Sequence, residues 1–194
     1  MKQRKSSVEE SSKKIITIPN ILSFFRICLV PLIVWMFCIK HNFRLTGYIL
    51  LLSGATDMVD GYVARRFHMI SDLGKVLDPI ADKLTQATML ICLLFRFPMM
   101  ICPLALLIAK EIFMAVTGIC IIRKTGIVLG ASWHGKVATC LLYGMMIVHV
   151  FWYEISYFAS VCSILVCTLM IGVSFVLYGI RNIKALRADL NSNL

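Results

Sequence analysis

The sequence predicts an all-α fold: an integral membrane bundle of six transmembrane helices, with a short N-terminal interfacial segment and both termini cytoplasmic. Three observations lead there. Of the 194 residues, 59% are hydrophobic and the mean hydropathy is +0.85, outside the range of soluble globular chains. Apolar stretches of roughly 17 to 25 residues recur, the length a helix needs to cross about 30 Å of hydrocarbon. The basic residues also fall unevenly between those stretches. With a cytoplasmic N-terminus, 14 Lys and Arg lie on that side against three, Lys40, Arg44 and Arg96, on the other, a strong bias under the positive-inside rule. The net charge of +10 would suit nucleic acid or phospholipid; the hydropathy selects membrane lipids and leaves no role for nucleic acid.

Residues 1–18 form a basic tail, either a solvated arm or an interfacial helix held by anionic lipid. Its first 14 residues are polar, so no cleavable signal peptide is expected. Residues 19–185 form one membrane domain, and 186–194 a polar C-terminal tail. The first span is expected over 20–39, opened by Pro19-Asn20 and interrupted by Arg26 and Pro31. The second covers 47–63 and carries Asp57 and Asp60; the third covers 76–95 and carries Asp78 and Asp82 in its first two turns. Spans over 99–122, 137–153 and 155–180 complete the six, and no internal repeat is evident. The eight cysteines contain no C-x2-C pair and read as small apolar packing residues rather than a redox or zinc site. The four histidines lack ligand spacing. Trp35, Trp133 and Trp152 stand near expected interfaces as anchors.

The chemistry lies between Asp57 and Asp82. Asp57 and Asp60 are spaced i,i+3, and Asp78 and Asp82 i,i+4, so on helices each pair shares a face. Four carboxylates crowded beside apolar segments cannot all stay ionised without cations. A cage for hard divalent ions is the simplest explanation, and it makes an enzyme the leading expectation. The orientation brings all four toward the cytoplasmic leaflet. Basic residues inside spans also need partners. Arg26, Lys83 and Lys110 each call for an anionic partner, water or a snorkelling route; a local partner for Lys110 would be Glu111 or an aspartate, and Lys83, beside Asp82, is expected to point elsewhere on its helix.

The full spacing, D-x2-D-G-x2-A-R-x8-G-x3-D-x3-D from Asp57 to Asp82, resembles the signature of the CDP-alcohol phosphotransferase family at every motif position. The resemblance implies transfer of a phosphoryl-linked group from a CDP-alcohol to an acceptor hydroxyl, with CMP leaving. It implies two Mg2+ or Mn2+ ions per site, with Asp57 and Asp78 touching both, Asp60 completing one site and Asp82 the other, and Asp82 also serving as general base. It places Asn20, Ser23, Gly61, Ala64, Arg65, Ser71 and Gly74 on the CDP donor: Gly61 and Ala64 as a platform for the cytidine, Arg65 on the diphosphate, Gly74 at the turn into the third span.

The stretches I-A-K-E-I around Lys110 and H-G-K-V-A-T around Lys136 are similar to the phosphatidylglycerophosphate synthase branch. There basic residues hold the acceptor's phosphate, here Lys110, Lys136 and Arg123. Two positions differ from that branch, which usually has Arg at the place of Lys110 and a second Lys at the place of Ala138. The branch implies CDP-diacylglycerol as donor, sn-glycerol 3-phosphate as acceptor, phosphatidylglycerol phosphate as product and a homodimer in the cell membrane. A cardiolipin synthase of the same family, using phosphatidylglycerol, is the alternative. An intramembrane prenyltransferase gives no reason for A-R-x8-G, and a carboxylate transporter would show inverted repeats.

Overall fold

The computed structural model describes residues 18–66, 74–125 and 132–192. All regular structure among them is helical. Six α-helices follow in order: α1 Ile18–Val34, α2 Phe43–Arg66, α3 Gly74–Leu94, α4 Ile101–Thr125, α5 Trp133–Phe151 and α6 Tyr157–Ser192. A π-helical segment, Trp35–Ile39, continues α1, and a short 3-10 turn, Pro98–Met100, leads into α4. Each expected span falls on one of these helices, but most of the helices overrun it. α2 begins at Phe43 rather than 47, α5 at Trp133 rather than 137, and α6 runs on to Ser192. Hydropathy marks the apolar stretch only, whereas backbone hydrogen bonding carries a helix on through polar residues. The expected N-terminal interfacial segment and the connection bearing Ser71 and Asp72 lie outside the described residues.

Among the described residues, four helical stretches are long and apolar enough, by length and composition, to cross a membrane: Asn20–Ile39, Pro98–Arg123, Trp133–Phe151 and Tyr157–Ala185. α2 and α3 are not among them, because both carry the charged residues of the motif.

The chain divides into two compact units, Met1–Cys92 and Leu93–Leu194. In the first, α1 packs along α2 through Asn20, Ser23, Arg26, Val30, Ile33 and Phe37, all buried. Steps of three and four place these residues on one helical face. That face is polar for two turns and apolar thereafter. Pro31 lies inside α1, where it cannot donate to the helical ladder. Four residues later the helix widens into the π turn, closed by the Lys40 N–H on the Trp35 carbonyl at 3.0 Å.

His41 then takes a left-handed conformation, φ 49°, which lets the chain reverse. Asn42 caps α2, its Oδ1 accepting the Leu45 N–H at 3.1 Å. Cys38 and Cys92 are free thiols with sulfurs 3.9 Å apart, packed as small apolar groups.

In the second unit α6 is the central helix, packed against both α4 and α5. Phe113 meets Phe175 edge-on at 5.3 Å, and Leu106 packs beside Gly172. His149 is fully buried and its two ring nitrogens are both engaged. The Met145 carbonyl, 2.8 Å away, can only accept, so Nδ1 carries the proton. Nε2 therefore accepts from the Ser160 hydroxyl at 2.9 Å.

Candidate active site

The first two turns of α1 bring Asn20, Ser23 and Arg26 to one buried face, and that face meets the carboxylates. Arg26 Nη1 donates to Asp57 Oδ1 on α2 at 2.6 Å. Its Nη2 stands 4.0 Å from Asp78 Oδ1 on α3, and the Ser23 hydroxyl donates to the same carboxylate. Two aspartates from different helices thus share one guanidinium. The Arg26 side chain is 0% exposed, whereas those of Asp57 and Asp78 are 46% and 36% exposed. The cation lies inside and the carboxylates open outward.

Asp82, one turn beyond Asp78, accepts from the Gln86 side-chain amide at 2.9 Å. Lys83 Nζ stands 3.8 Å from the same Asp82 oxygen and 3.4 Å from the Gln86 carbonyl oxygen. Lys83 therefore turns toward Asp82 and does not point elsewhere. Its long stem swings back along the helix surface, which adjacent positions on a helical wheel do not suggest.

Asp60, Gly61, Ala64 and Arg65 lie in the last two turns of α2, but their side chains, like Ser71, are outside the described residues. Gly74 opens α3 and is buried. Among the described residues no three His, Cys, Asp or Glu come together as a metal-holding group. Asp57 and Asp78 nonetheless offer hard oxygen donors from two helices to one cation, the chemistry that magnesium or manganese requires. Ser53 Oγ, one turn before Asp57 on α2, is buried without a hydrogen-bond partner among the described residues. The donor set fits a divalent ion.

A second polar cluster is built within the other unit, around the Tyr178 ring of α6. Arg181 stacks over that ring at 4.8 Å, Lys110 of α4 stands over it at 5.9 Å, and His134 of α5 meets it edge-on at 4.6 Å. Both cations are within cation–π range. The Tyr178 hydroxyl accepts the Ser132 N–H at 3.0 Å, and Arg181 Nη1 donates to Ser132 Oγ at 2.6 Å. His134 Nδ1 lies 3.2 Å from Ser174 Oγ. Gly135 permits this closeness, because a Cβ there would collide with the Tyr178 hydroxyl. Lys110 is buried and 3.3 Å from Glu111 Oε1, so the local ion pair left open by the sequence is formed.

Of the expected acceptor residues, the structure brings only Lys110 into this cluster. Lys136 and Arg123 are exposed. Arg123 follows Lys110 by 13 positions on α4, about 20 Å at the helical rise of 1.5 Å per residue, so the two cannot grip one phosphate. Arg181, His134, Ser132 and Tyr178 were not anticipated. The available signal was the spacing of Ser174, Tyr178 and Arg181-Asn182 along α6, a polar stripe at helical period inside an apolar helix. Asn182 extends it: its amide donates to Thr117 Oγ1 at 2.8 Å, while its Oδ1 is buried without a partner among the described residues.

Comparison with known proteins gives a consistent result. Residues 16–178 match the family model described as CDP-alcohol phosphatidyltransferase. A protein of Rickettsia typhi named CDP-diacylglycerol--glycerol-3-phosphate 3-phosphatidyltransferase is 35% identical over 96 residues, 48% of this chain and 54% of that protein. A Streptomyces coelicolor protein named cardiolipin synthase (CMP-forming) is 38% identical over 119 residues, 58% of this chain and 54% of the relative. An Aquifex aeolicus protein with the same name as the rickettsial one is 29% identical over 175 residues, 86% of this chain and 96% of the relative. The matches thus span about half the length of the first two relatives and nearly all of the third.

Proposed function

Because the chain belongs to the CDP-alcohol phosphatidyltransferase family, we propose that it transfers the phosphatidyl group of CDP-diacylglycerol to sn-glycerol 3-phosphate, giving phosphatidylglycerol phosphate and CMP. The observation that carries this is the convergence of Asp57 and Asp78, from the two halves of the motif, on one point beside Ser23 and Arg26. In this scheme an acceptor hydroxyl oxygen attacks the phosphatidyl phosphorus, the bond to the CMP oxygen breaks, and the hydroxyl proton passes to Asp82. Gln86 fixes the orientation of that carboxylate, as general-base transfer requires. Two Mg2+ or Mn2+ ions, held by Asp57, Asp60, Asp78 and Asp82, would neutralise the diphosphate and the charge developing on the transferred group. Asn20, Ser23, Gly61, Ala64, Arg65, Ser71 and Gly74 would line the donor site.

For the acceptor, Lys110 and Arg181 place two cations on the Tyr178 ring with one carboxylate, Glu111, beside Lys110. That balance favours a phosphate dianion. Asn182 Oδ1, one turn from Tyr178, is an acceptor that a polyol hydroxyl would satisfy. Phosphatidylglycerol is the second candidate acceptor, supported by the name of the Streptomyces relative.

Six spans with both termini cytoplasmic complete the proposal. α2 and α3, of 24 and 21 residues, extend about 36 and 32 Å at the helical rise, enough to cross hydrocarbon. The active site would then face the cytoplasm in a homodimer in the cell membrane. Purified protein in detergent, given CDP-diacylglycerol and each acceptor in turn, should release CMP with glycerol 3-phosphate. CMP released only with phosphatidylglycerol would select the second candidate, and none with either would refute the family-level activity. Cysteine labelling should find 67–73 cytoplasmic and 40–42 external; the reverse pattern would overturn the orientation.

A further inference from the structure

Arg26 has no part in the chemistry described so far, yet it is the most deeply buried charge in the carboxylate cluster. We propose that Arg26 is a positioning residue that acts as resident counter-ion to the cluster: it holds Asp57 and Asp78 together in the metal-free protein and competes with divalent cations for them. This rests on the reading of those aspartates as metal ligands.

Three features lead to it. Arg26 is 0% exposed, and a guanidinium does not shed its proton in proteins, so its charge is permanent and must be balanced where it lies. Its contacts are divided between the two halves of the motif, 2.6 Å to Asp57 on α2 and 4.0 Å to Asp78 on α3. Without it, the carboxylates of two neighbouring helices would repel one another whenever no metal is bound. The side chains also differ in depth. The aspartates are partly exposed and Arg26 is not, so an incoming ion meets carboxylates already half neutralised from within.

Like charges a few ångströms apart repel strongly where water is excluded. A divalent ion binding to Asp57 and Asp78 must therefore be held more weakly than the same carboxylates would hold it without Arg26. The device gives the enzyme an assembled site in the absence of metal and an ion that exchanges rather than locks. Ser23, one turn before Arg26, does not duplicate this role, because its hydroxyl supplies a hydrogen bond to Asp78 and no charge.

The test compares wild type with Arg26→Gln and Arg26→Lys, purified in detergent with Mg2+ and then stripped by chelation. Two quantities are read that do not depend on turnover: the Kd for Mn2+ by electron paramagnetic resonance, and the Tm with and without Mn2+. In Arg26→Gln the metal-free Tm should fall, and Mn2+ should bind at least about 10-fold more tightly, as expected for removal of a nearby unit charge. Tighter binding enlarges the rise in Tm that Mn2+ produces at a fixed concentration. Arg26→Lys keeps the charge and should stay close to wild type in both.

If Arg26→Gln binds Mn2+ no more tightly than wild type, Arg26 only packs or orients, and the proposal is overturned. It is also overturned if Arg26→Gln cannot be recovered folded even in saturating Mg2+, since a divalent ion should then replace the missing cation. Wild type that binds no Mn2+ would instead remove the metal site itself, and the proposal with it.

Discussion

Removing Arg181 or Lys110 should weaken the acceptor and leave the donor alone. Arg181→Lys keeps the positive charge on the Tyr178 ring but cannot reproduce the fork that places Nη1 2.6 Å from Ser132 Oγ. Arg181→Ala removes both. Lys110→Met keeps the length of the buried stem, removes the ammonium and leaves the Glu111 carboxylate without its 3.3 Å partner. A charge-assisted contact is worth roughly 1.5–3 kcal/mol, so loss of one such contact to the acceptor phosphate corresponds to an increase of about 10- to 150-fold in acceptor KM. Arg181→Ala should lie toward the upper end, because Ser132 Oγ loses its donor and the Tyr178 ring its stacking partner as well, and Arg181→Lys toward the lower end. If both cations hold one phosphate, the double variant should fall short of the sum of the single losses. The assay is CMP release at saturating CDP-diacylglycerol with glycerol 3-phosphate varied, then the converse. An unchanged acceptor KM in both single variants, with either acceptor, would refute the phosphate site. A rise in donor KM of the same size would move these residues to the donor.

Other consequences can be measured independently. Asp82→Asn keeps the shape and can retain a bond to Gln86 but cannot take a proton, so turnover should fall at least about 100-fold, while CDP-diacylglycerol is still bound; full activity would end the base assignment. Gly135→Ala puts a methyl group against the Tyr178 hydroxyl, and the ring must shift, so acceptor KM should rise with little change in donor KM; wild-type kinetics would show that the position of the ring is unimportant. His41→Gly relieves a left-handed residue, φ 49°, and should stabilise the protein by about 0.5–1 kcal/mol, read as a rise in Tm without change in activity; a fall in Tm would mean that the His41 side chain contributes more than its backbone costs.

Much of the carboxylate site was legible in the sequence because its geometry is mostly local. Asp57 and Asp60, or Asp78 and Asp82, share a helix face whatever the helix packs against, and spacing alone gives that. The motif also named α2 and α3 as partners. What it could not give was the contribution of α1. Arg26 was recognisable as a buried charge in need of an anion, and Ser23 as a polar residue on the same face, but only packing decides that both face the aspartates. The basic cluster was harder still. Lys110, His134 and Arg181 come from three helices separated by long stretches of sequence, and nothing local relates them. Arg181 entered only the count of basic residues on the cytoplasmic side, while Arg123, which shares a helix with Lys110, looked closer than the helical rise allows.

Hydropathy and catalysis pull against each other in this chain, and the helix inventory records it. Among the described residues, the helical stretches apolar enough by composition to be spans are Asn20–Ile39, Pro98–Arg123, Trp133–Phe151 and Tyr157–Ala185. Their Leu, Ile, Met and Val side chains are in part buried and in larger part exposed, and several of the polar residues they hold are paired within the protein, as Lys110 is with Glu111 and His149 with Ser160. α2 and α3 are less apolar because they carry the motif aspartates and the basic residues around them. Helices of that charge could not face lipid alone. In the first unit Arg26 and Ser23 of α1 reach the aspartates of both helices, so an apolar helix supplies the groups that make two charged ones tolerable. That division of labour accounts for the presence of a buried charge, Arg26, in the N-terminal half of the otherwise apolar stretch Asn20–Ile39.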